Sequence, residues 1–298
     1  MFSIKTVRIT IRLQEGEFSG GGNTGDNNQD QQTNTVLIEG LPVSVDIEKQ
    51  GGDSKNKATV VIQNLKLDTV KQLTVLSFKR LQTYNNIIQI DAGNQGVELS
   101  TAFIGEITSA VPQITDNGVL LLKIEALAGY YASLIPSAPV SVQGTTTIDK
   151  LMSQFAKEAK YKYENKNVTG SVSNCVFIGS PIKKAQTLAR QANIDLLIDD
   201  GKFTIQTFEA PKDGEPPLLA NYTGMIGYPS FSSNGIDVRC EYNENLKVGG
   251  YFKLESILPQ ASGEWQIVKL KHSLEAYIPN GGRWETTVSG VIPGSQTK

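Results

Sequence analysis

Histidine occurs once in this chain of 298 residues, and cysteine twice. A lone His272 cannot build a histidine-rich metal site, and neither Cys175 nor Cys240 sits in a C-x-x-C pair, so no structural zinc and no other cofactor is expected. No apolar run approaches the roughly 20 residues that span a bilayer, so membrane insertion is not expected. The opening residues, MFSIKTVRITIRL, interleave basic and apolar positions and lack the continuous apolar stretch of a signal peptide. The two cysteines therefore read as reduced, buried thiols, and the N-x-T triplets at Asn167 and Asn221 read as chance matches. The formal net charge is -2 and the pI about 5.6, which leaves no electrostatic reason to grip nucleic acid or an anionic membrane.

Catalytic signatures are equally scarce. Gly20, Gly21 and Gly22 are not followed by Gly-Lys-Ser/Thr, so they make no P-loop, and no G-x-S-x-G elbow is present. His272 lies on a strand face with Val268, Leu270 and Leu274, where a histidine is usually structural. Asp199 and Asp200 are adjacent carboxylates, but Asp200-Gly201 reads as turn chemistry, and neighbouring strand residues face opposite ways. Lys183 and Lys184 near a helix start could hold an anion; a solvated helix face is the plainer reading. Lys269 and Lys271 share the wet face of a strand. Trp265 and Trp284 could stack a sugar, although filling a core or an interface is the commoner use. No catalytic, cofactor-binding or metal-binding residue is selected.

What the chain does have is turns and alternation. Val7, Ile9, Ile11 and Leu13 repeat with period two, the mark of a strand. Residues 16–35, GEFSGGGNTGDNNQDQQTNT, are too polar and glycine-rich to pack a core and read as a mobile loop inside an expanded hairpin. Further strands are expected in VLIEGLPVSVDIEK, KATVVIQNL, NIIQIDAG, STAFIGEITSAV and GVLLLKIEALAG, with a short helix in LDTVKQLTVLSF that Asp68 would cap.

The middle differs. Ile148, Leu151, Met152, Phe155, Ala156 and Ala159 fall at helical spacing, with Thr146 and Asp149 placed as a capping box. A second helix starts at Ser180 and Pro181 and buries Ile182, Ala185, Leu188, Ala189 and Ala192. A hairpin follows, turning at Asp200-Gly201. After the linker-like APKDGEPP, strands return in GIDVRCEYN, GGYFKLESI, GEWQIVKLKHSLEAYI and RWETTVSGVI. The fold class is mainly β with an α+β middle portion: two barrel-like β domains, residues 1–130 and 210–298, flank a small helix-containing domain, residues 131–209.

TGMIGYPSFSSNGIDVRCEYNENLKVGGYFKLES, with Asn243, Leu246 and Gly249 in its polar turn, resembles the baseplate hub proteins of contractile-tailed phages and contractile injection systems. GEWQIVKLKHSLEAYIPNGGRWETTVSG is similar to that family's closing strand pair, with His272 and Trp284 at matching places. Gly93, Phe103, Gly105 and Ile107 match another of its strand pairs, where Asn94 stands in place of a common aromatic. GSPIKKAQTLARQANIDLLIDDGKFTIQ resembles its helix–hairpin. The likeness covers residues 57–290. It implies a non-enzymatic virion protein of the tail baseplate, assembled in the host cytoplasm. That protein would be a homotrimer forming a ring between the sixfold tail tube, or a tube initiator, and the threefold central spike. Its lumen would pass tape measure protein and DNA without specific binding. Two other readings stay open: a carbohydrate-binding β module using Trp265, Trp284 or nearby tyrosines, and a tail-associated cell-wall hydrolase with clustered carboxylates.

Overall fold

The computed structural model describes residues 4–13, 34–52, 54–74, 86–208, 214–232, 235–279 and 281–294. Residues 16–33 of the expected mobile loop, with the glycine run at 20–22, and residues 210–213 of the linker fall outside the described residues. The chain is mainly β, with a large antiparallel sheet.

In chain order the first strands are β1 (Lys5–Arg12), β2 (Thr35–Ile38), β3 (Val43–Gln50) and β4 (Lys57–Gln63). Helix α1 (Leu67–Leu73) precedes β5 (Ile87–Asn94), β6 (Ser100–Ile114) and β7 (Leu120–Leu127). Next come α2 (Tyr130–Leu134), β8 (Ser137–Ser141), β9 (Thr145–Thr147), α3 (Ile148–Glu158), β10 (Lys162–Lys166), β11 (Ser171–Ser173) and β12 (Val176–Gly179). Then follow α4 (Pro181–Ala192), β13 (Asp195–Asp199), β14 (Lys202–Gln206), β15 (Leu218–Leu219) and β16 (Ser230–Ser232). The chain closes with β17 (Gly235–Glu241), β18 (Tyr251–Leu254), β19 (Gly263–Ala276) and β20 (Trp284–Val291).

Two compact units emerge. Unit 1 holds residues 1–48, 57–128 and 272–285. Its strands run β3-β4-β7-β6-β5-β1-β2, with residues 272–276 of β19 beside β3, and β1 and β2 pair as the expected hairpin, Arg12 opposite Thr35. Alternation does the work here: Val7, Ile9, Ile11, Val45, Ile47, Val60 and Ile62 are all buried, while their neighbours, Thr6 excepted, are at least partly exposed. The glycines of the 93–107 motif have a packing reason. A side chain on Gly105 would strike the Phe103 ring at 2.6 Å, so that ring lies over the glycine and is itself fully buried. Gly93 sits likewise under Leu99.

Unit 2 holds residues 49–56, 129–271 and 286–298. One of its cores joins α3, α4 and the sheet β10-β14-β13 through Met152, Phe155, Leu188 and Phe203. The other lies among β17, β18, β19 and β20 and includes Val238, Phe252, Leu270 and Val288. The six apolar residues expected on the first middle helix are all buried on α3 and just after it. Ser180 caps α4 through the Lys183 amide at 3.3 Å, with Pro181 at the first position. Asp200 and Gly201 both adopt positive φ, 46° and 75°, in the two-residue turn between β13 and β14.

Two expected caps move. Asp68 is not the cap of α1; Lys66 holds that position without a side-chain bond, and Asp68 pairs with Lys71 one turn on. Thr147, not Thr146, caps α3, accepting from the Lys150 amide at 3.3 Å. Thr146 is committed to pairing with Val172 in β11, and Asp149 accepts from Tyr163 and Asn165. Thr147→Ala is therefore expected to cost about 1 kcal/mol in thermal unfolding, whereas Thr146→Ala should stay within about 0.5 kcal/mol. Equal losses would contradict the assignment.

Candidate functional site

The turn that carries the sequence resemblance is built from backbone geometry. Asn243 starts it, its Oδ1 accepting from the Asn245 amide at 2.9 Å and its carbonyl from Leu246 at 3.3 Å. Leu246 plugs the β17–β20 core. Gly249 then takes φ +79° and donates to the Ile267 carbonyl at 2.8 Å, while Ile267 donates back to Gly250. A Cβ at Gly249 would meet Gln206 Nε2 at 2.4 Å and Leu197 at 2.6 Å. The glycine is thus required twice, by its left-handed backbone and by the approach of β13 and β14.

Beside this turn lies a cleft of about 430 Å3 lined by Glu164, Lys166, Asp199, Asp200 and Lys202. An adjoining cleft of about 630 Å3 shares Lys166, Lys247 and Val248 with it. Asp199 and Asp200 do not point apart, as adjacent strand residues would. Asp200 belongs to the turn, and its positive φ swings it back, so both carboxylates meet the Lys49 ammonium at 2.9 and 3.0 Å. Asn56 donates to Asp199 at 3.0 Å and to the Ile198 carbonyl at 3.1 Å. Burial works to lower the pKa of Lys49, but the two carboxylate charges and their hydrogen bonds outweigh it and raise it above the ordinary 10.5. Glu164 is paired with Lys202 at 3.0 Å. The acids of this cleft are thus engaged with cations.

Asp195 behaves differently. Burial raises its pKa above the ordinary 3.8, against the lowering effect of a Gln206 hydrogen bond and a backbone bond at Leu196. A raised carboxyl binds a proton more readily folded than unfolded, so stability falls as pH climbs through that window and the deficit persists at neutrality. Asp195→Asn is expected to raise the melting temperature at pH 7, with the gain vanishing below the unfolded value. A loss of stability at pH 7 would refute this.

The remaining candidates are dispersed. His272 is buried on β19 with Leu270 and Leu274, while Lys269 and Lys271 are exposed on its other side. Trp265 is buried and donates its indole N–H to the Ala261 carbonyl at 2.9 Å. Trp284 is half-buried with the Lys5 ammonium 5.9 Å from its ring centre. Cys240 is a free, buried thiol that burial, with the nearby Glu241 charge, pushes up to about 12. Cys175, expected to be buried, is free but only half-buried, packed against the outside of the α3–α4 core. Lys183 is exposed as expected, but Lys184 is not on a solvated face. It is fully buried, donating to the Ala138 carbonyl at 2.7 Å and to Glu158 at 2.9 Å. Its position three residues after Pro181 and four before Leu188 marks that burial in the sequence. Lys49, missed altogether, continues the inward series Val43, Val45, Ile47. Among the described residues, no group of three His, Cys, Asp or Glu side chains could hold a metal ion.

Over residues 9–277 the sequence matches the family model described as "Baseplate hub gp41". The chain belongs to that family. It is therefore a phage tail baseplate hub family member, a class of structural tail component. Sequence comparison with curated proteins gives no match. Solved structures share the hub fold at low identity. The 43 kDa tail protein of prophage MuSo2 from Shewanella oneidensis aligns at TM-score 0.65 and 11% identity, over 97% of both chains. A tail protein from Neisseria meningitidis aligns at 0.62 and 8%, also over 97% of both. A type VI secretion component of E. coli, itself described as similar to T4 tail proteins gp27 and gp5, aligns at 0.57 and 9%, over 84% of this chain and 73% of that one. The glycine turns and β pairings account for what the family resemblance shares; in the first cleft the acids Glu164, Asp199 and Asp200 are held in ion pairs.

Proposed function

We propose that this hub is a non-enzymatic structural protein whose copies form a trimeric ring in the tail baseplate. The ring adapts the sixfold tail tube, or a tube initiator, to the threefold central spike and continues the tail channel. The family match across residues 9–277 carries this reading. The charge balance supports it, since a net charge of -2 gives DNA and tape measure protein little to adhere to in transit. In this reading residues 1–130 and 210–298 act as barrel-like domains around a middle domain of residues 131–209. Assembly takes place in the host cytoplasm and the product resides in the virion. No helix among the described residues is long and apolar enough to cross a membrane.

The carbohydrate reading loses one of its candidates, because Trp265 is buried and its indole N–H is engaged in the core, while Trp284 is half-buried and Tyr222 and Tyr228 are exposed. Light scattering of the purified chain should give a threefold mass, and electron micrographs of the same sample a ring with a central opening. A monomer without rings, together with binding to a glycan panel, would overturn the hub assignment in favour of a sugar-binding module.

A further inference from the structure

Residues 126–148, 167–182 and 216–236 contain no Asp, Glu, Lys or Arg, in a chain of which 19% is charged. Residues 129–148 of the first stretch and the second stretch come together in unit 2. β8 pairs with β12 and β9 with β11, and bonds from Val142 to Cys175 (2.9 Å) and Asn174 to Gly144 (3.0 Å) link the two pairs into one antiparallel ribbon. Phe177 and Val140 turn inward to the α3–α4 core. Alternation then points Val176 and Ile178 outward, 57% and 68% exposed, with Leu134 at the ribbon's start 51% exposed. The buried Lys184 holds the ribbon from behind through the Ala138 carbonyl.

The third stretch contains β16, the outermost strand of its sheet, which among the described residues pairs only with β17. Phe231 on this strand and Tyr228 just before it are 57% and 70% exposed. Charges border it on the neighbouring strands: Asp237, Arg239 and Glu241 on β17, Lys253 beside Leu218, and Glu255, which accepts from Tyr222.

An open strand edge and an apolar ribbon are ordinarily guarded by charge. Interface centres, by contrast, are depleted of charge and enriched in aromatics. Here one unit carries an aliphatic and an aromatic surface whose own stretches hold no charged residue, with ions such as Lys183 and Asp237 at their borders. A charged partner on either would lose its hydration without compensation, whereas each surface suits the other. We propose that they meet between copies of this chain: the Val176–Ile178 face of one protomer seats on the Tyr228–Phe231 edge of the next. Two different patches make a head-to-tail contact, the kind that closes into rings. The inference rests on the hub reading in that its occupant is a second copy.

Light scattering on the full chain tests it with Ile178→Lys, Phe231→Glu and the double variant. Each single substitution is expected to weaken self-association by about tenfold to a hundredfold. The double variant, which sets lysine against glutamate across the contact, should recover the assembled mass in part. Ile114→Lys, at a residue 75% exposed in unit 1, should leave the mass unchanged. If a single variant melts early, Val176→Lys with Tyr228→Glu replaces the pair, and recovery in a double variant is a result that misfolding cannot mimic. Assemblies that survive both single substitutions, or singles that dissociate without recovery in the double, overturn this contact while leaving the hub reading intact. A monomeric wild-type chain overturns both.

Discussion

Alanine at Gly235 is expected to destabilise unit 2 by about 3 kcal/mol or more, read as a lower denaturant midpoint for that unit's transition. An added Cβ would lie 2.0 Å from the Gly290 carbonyl oxygen and 3.0 Å from its carbon. The obstacle is backbone, so no rotamer change relieves it, and β17 would have to draw away from its neighbour β20. Retreat of β20 is blocked in turn, because Gly290 already faces the Phe252 ring and Trp265 Cβ, at 2.7 and 2.9 Å from where its own Cβ would stand. Ser232→Ala, at an exposed position on the adjoining strand, should change stability by no more than about 0.5 kcal/mol. A loss below about 1 kcal/mol for Gly235→Ala would show that the strand crossing relaxes and that the close approach is not required.

Removing the ammonium at Lys49 is expected to have the next largest effect. Breaking one side of a buried ion cluster typically costs about 3–5 kcal/mol; here the carboxylate side chains keep 29% and 33% of their exposure, which brings the expectation nearer about 2–3 kcal/mol. Lys49→Met preserves most of the side-chain volume and isolates the charge. Adding Asp199→Asn and Asp200→Asn should restore much of the loss, because neutral partners leave no uncompensated carboxylate. If Lys49→Met is neutral, the cluster contributes no net stability. The pH dependence carries its own sign. A lysine whose folded pKa is raised contributes fully below its unfolded value near 10.5 and loses that contribution as pH rises through the folded value. The wild-type protein should therefore weaken in strong alkali by more than Lys49→Met does.

Both effects show how far local pattern reaches. The sequence around Lys49 alternates Val43, Val45, Ile47, Lys49, so its inward position is written in period two. Its partners are not, since Asp199 and Asp200 lie 150 and 151 residues away. In the same way Lys184 sits at helical spacing from Pro181 and Leu188, yet Ala138 and Glu158 become its partners only once β8 and α3 pack on α4. The hub motif around Asn243, Leu246 and Gly249 was visible as residue types; the reason for Gly249, the approach of Gln206 and Leu197, was not.

By itself, then, the sequence determined what neighbours in the chain can enforce. That includes the alternation of β1, the Ser180–Pro181 start of α4, the buried face of α3 and the Asp200-Gly201 turn, because each depends on a few adjacent dihedrals and side chains. Tertiary structure decided what long-range contact must supply. Ser273 on β19 meets Asp46 on β3 across 227 residues, and residues 272–285 join the first compact unit. It also bent two neighbouring aspartates onto one lysine and left the apolar ribbon and the β16 edge facing outward. Strand partners distant in sequence are selected by total burial and register, and no local period encodes which strand lies alongside which.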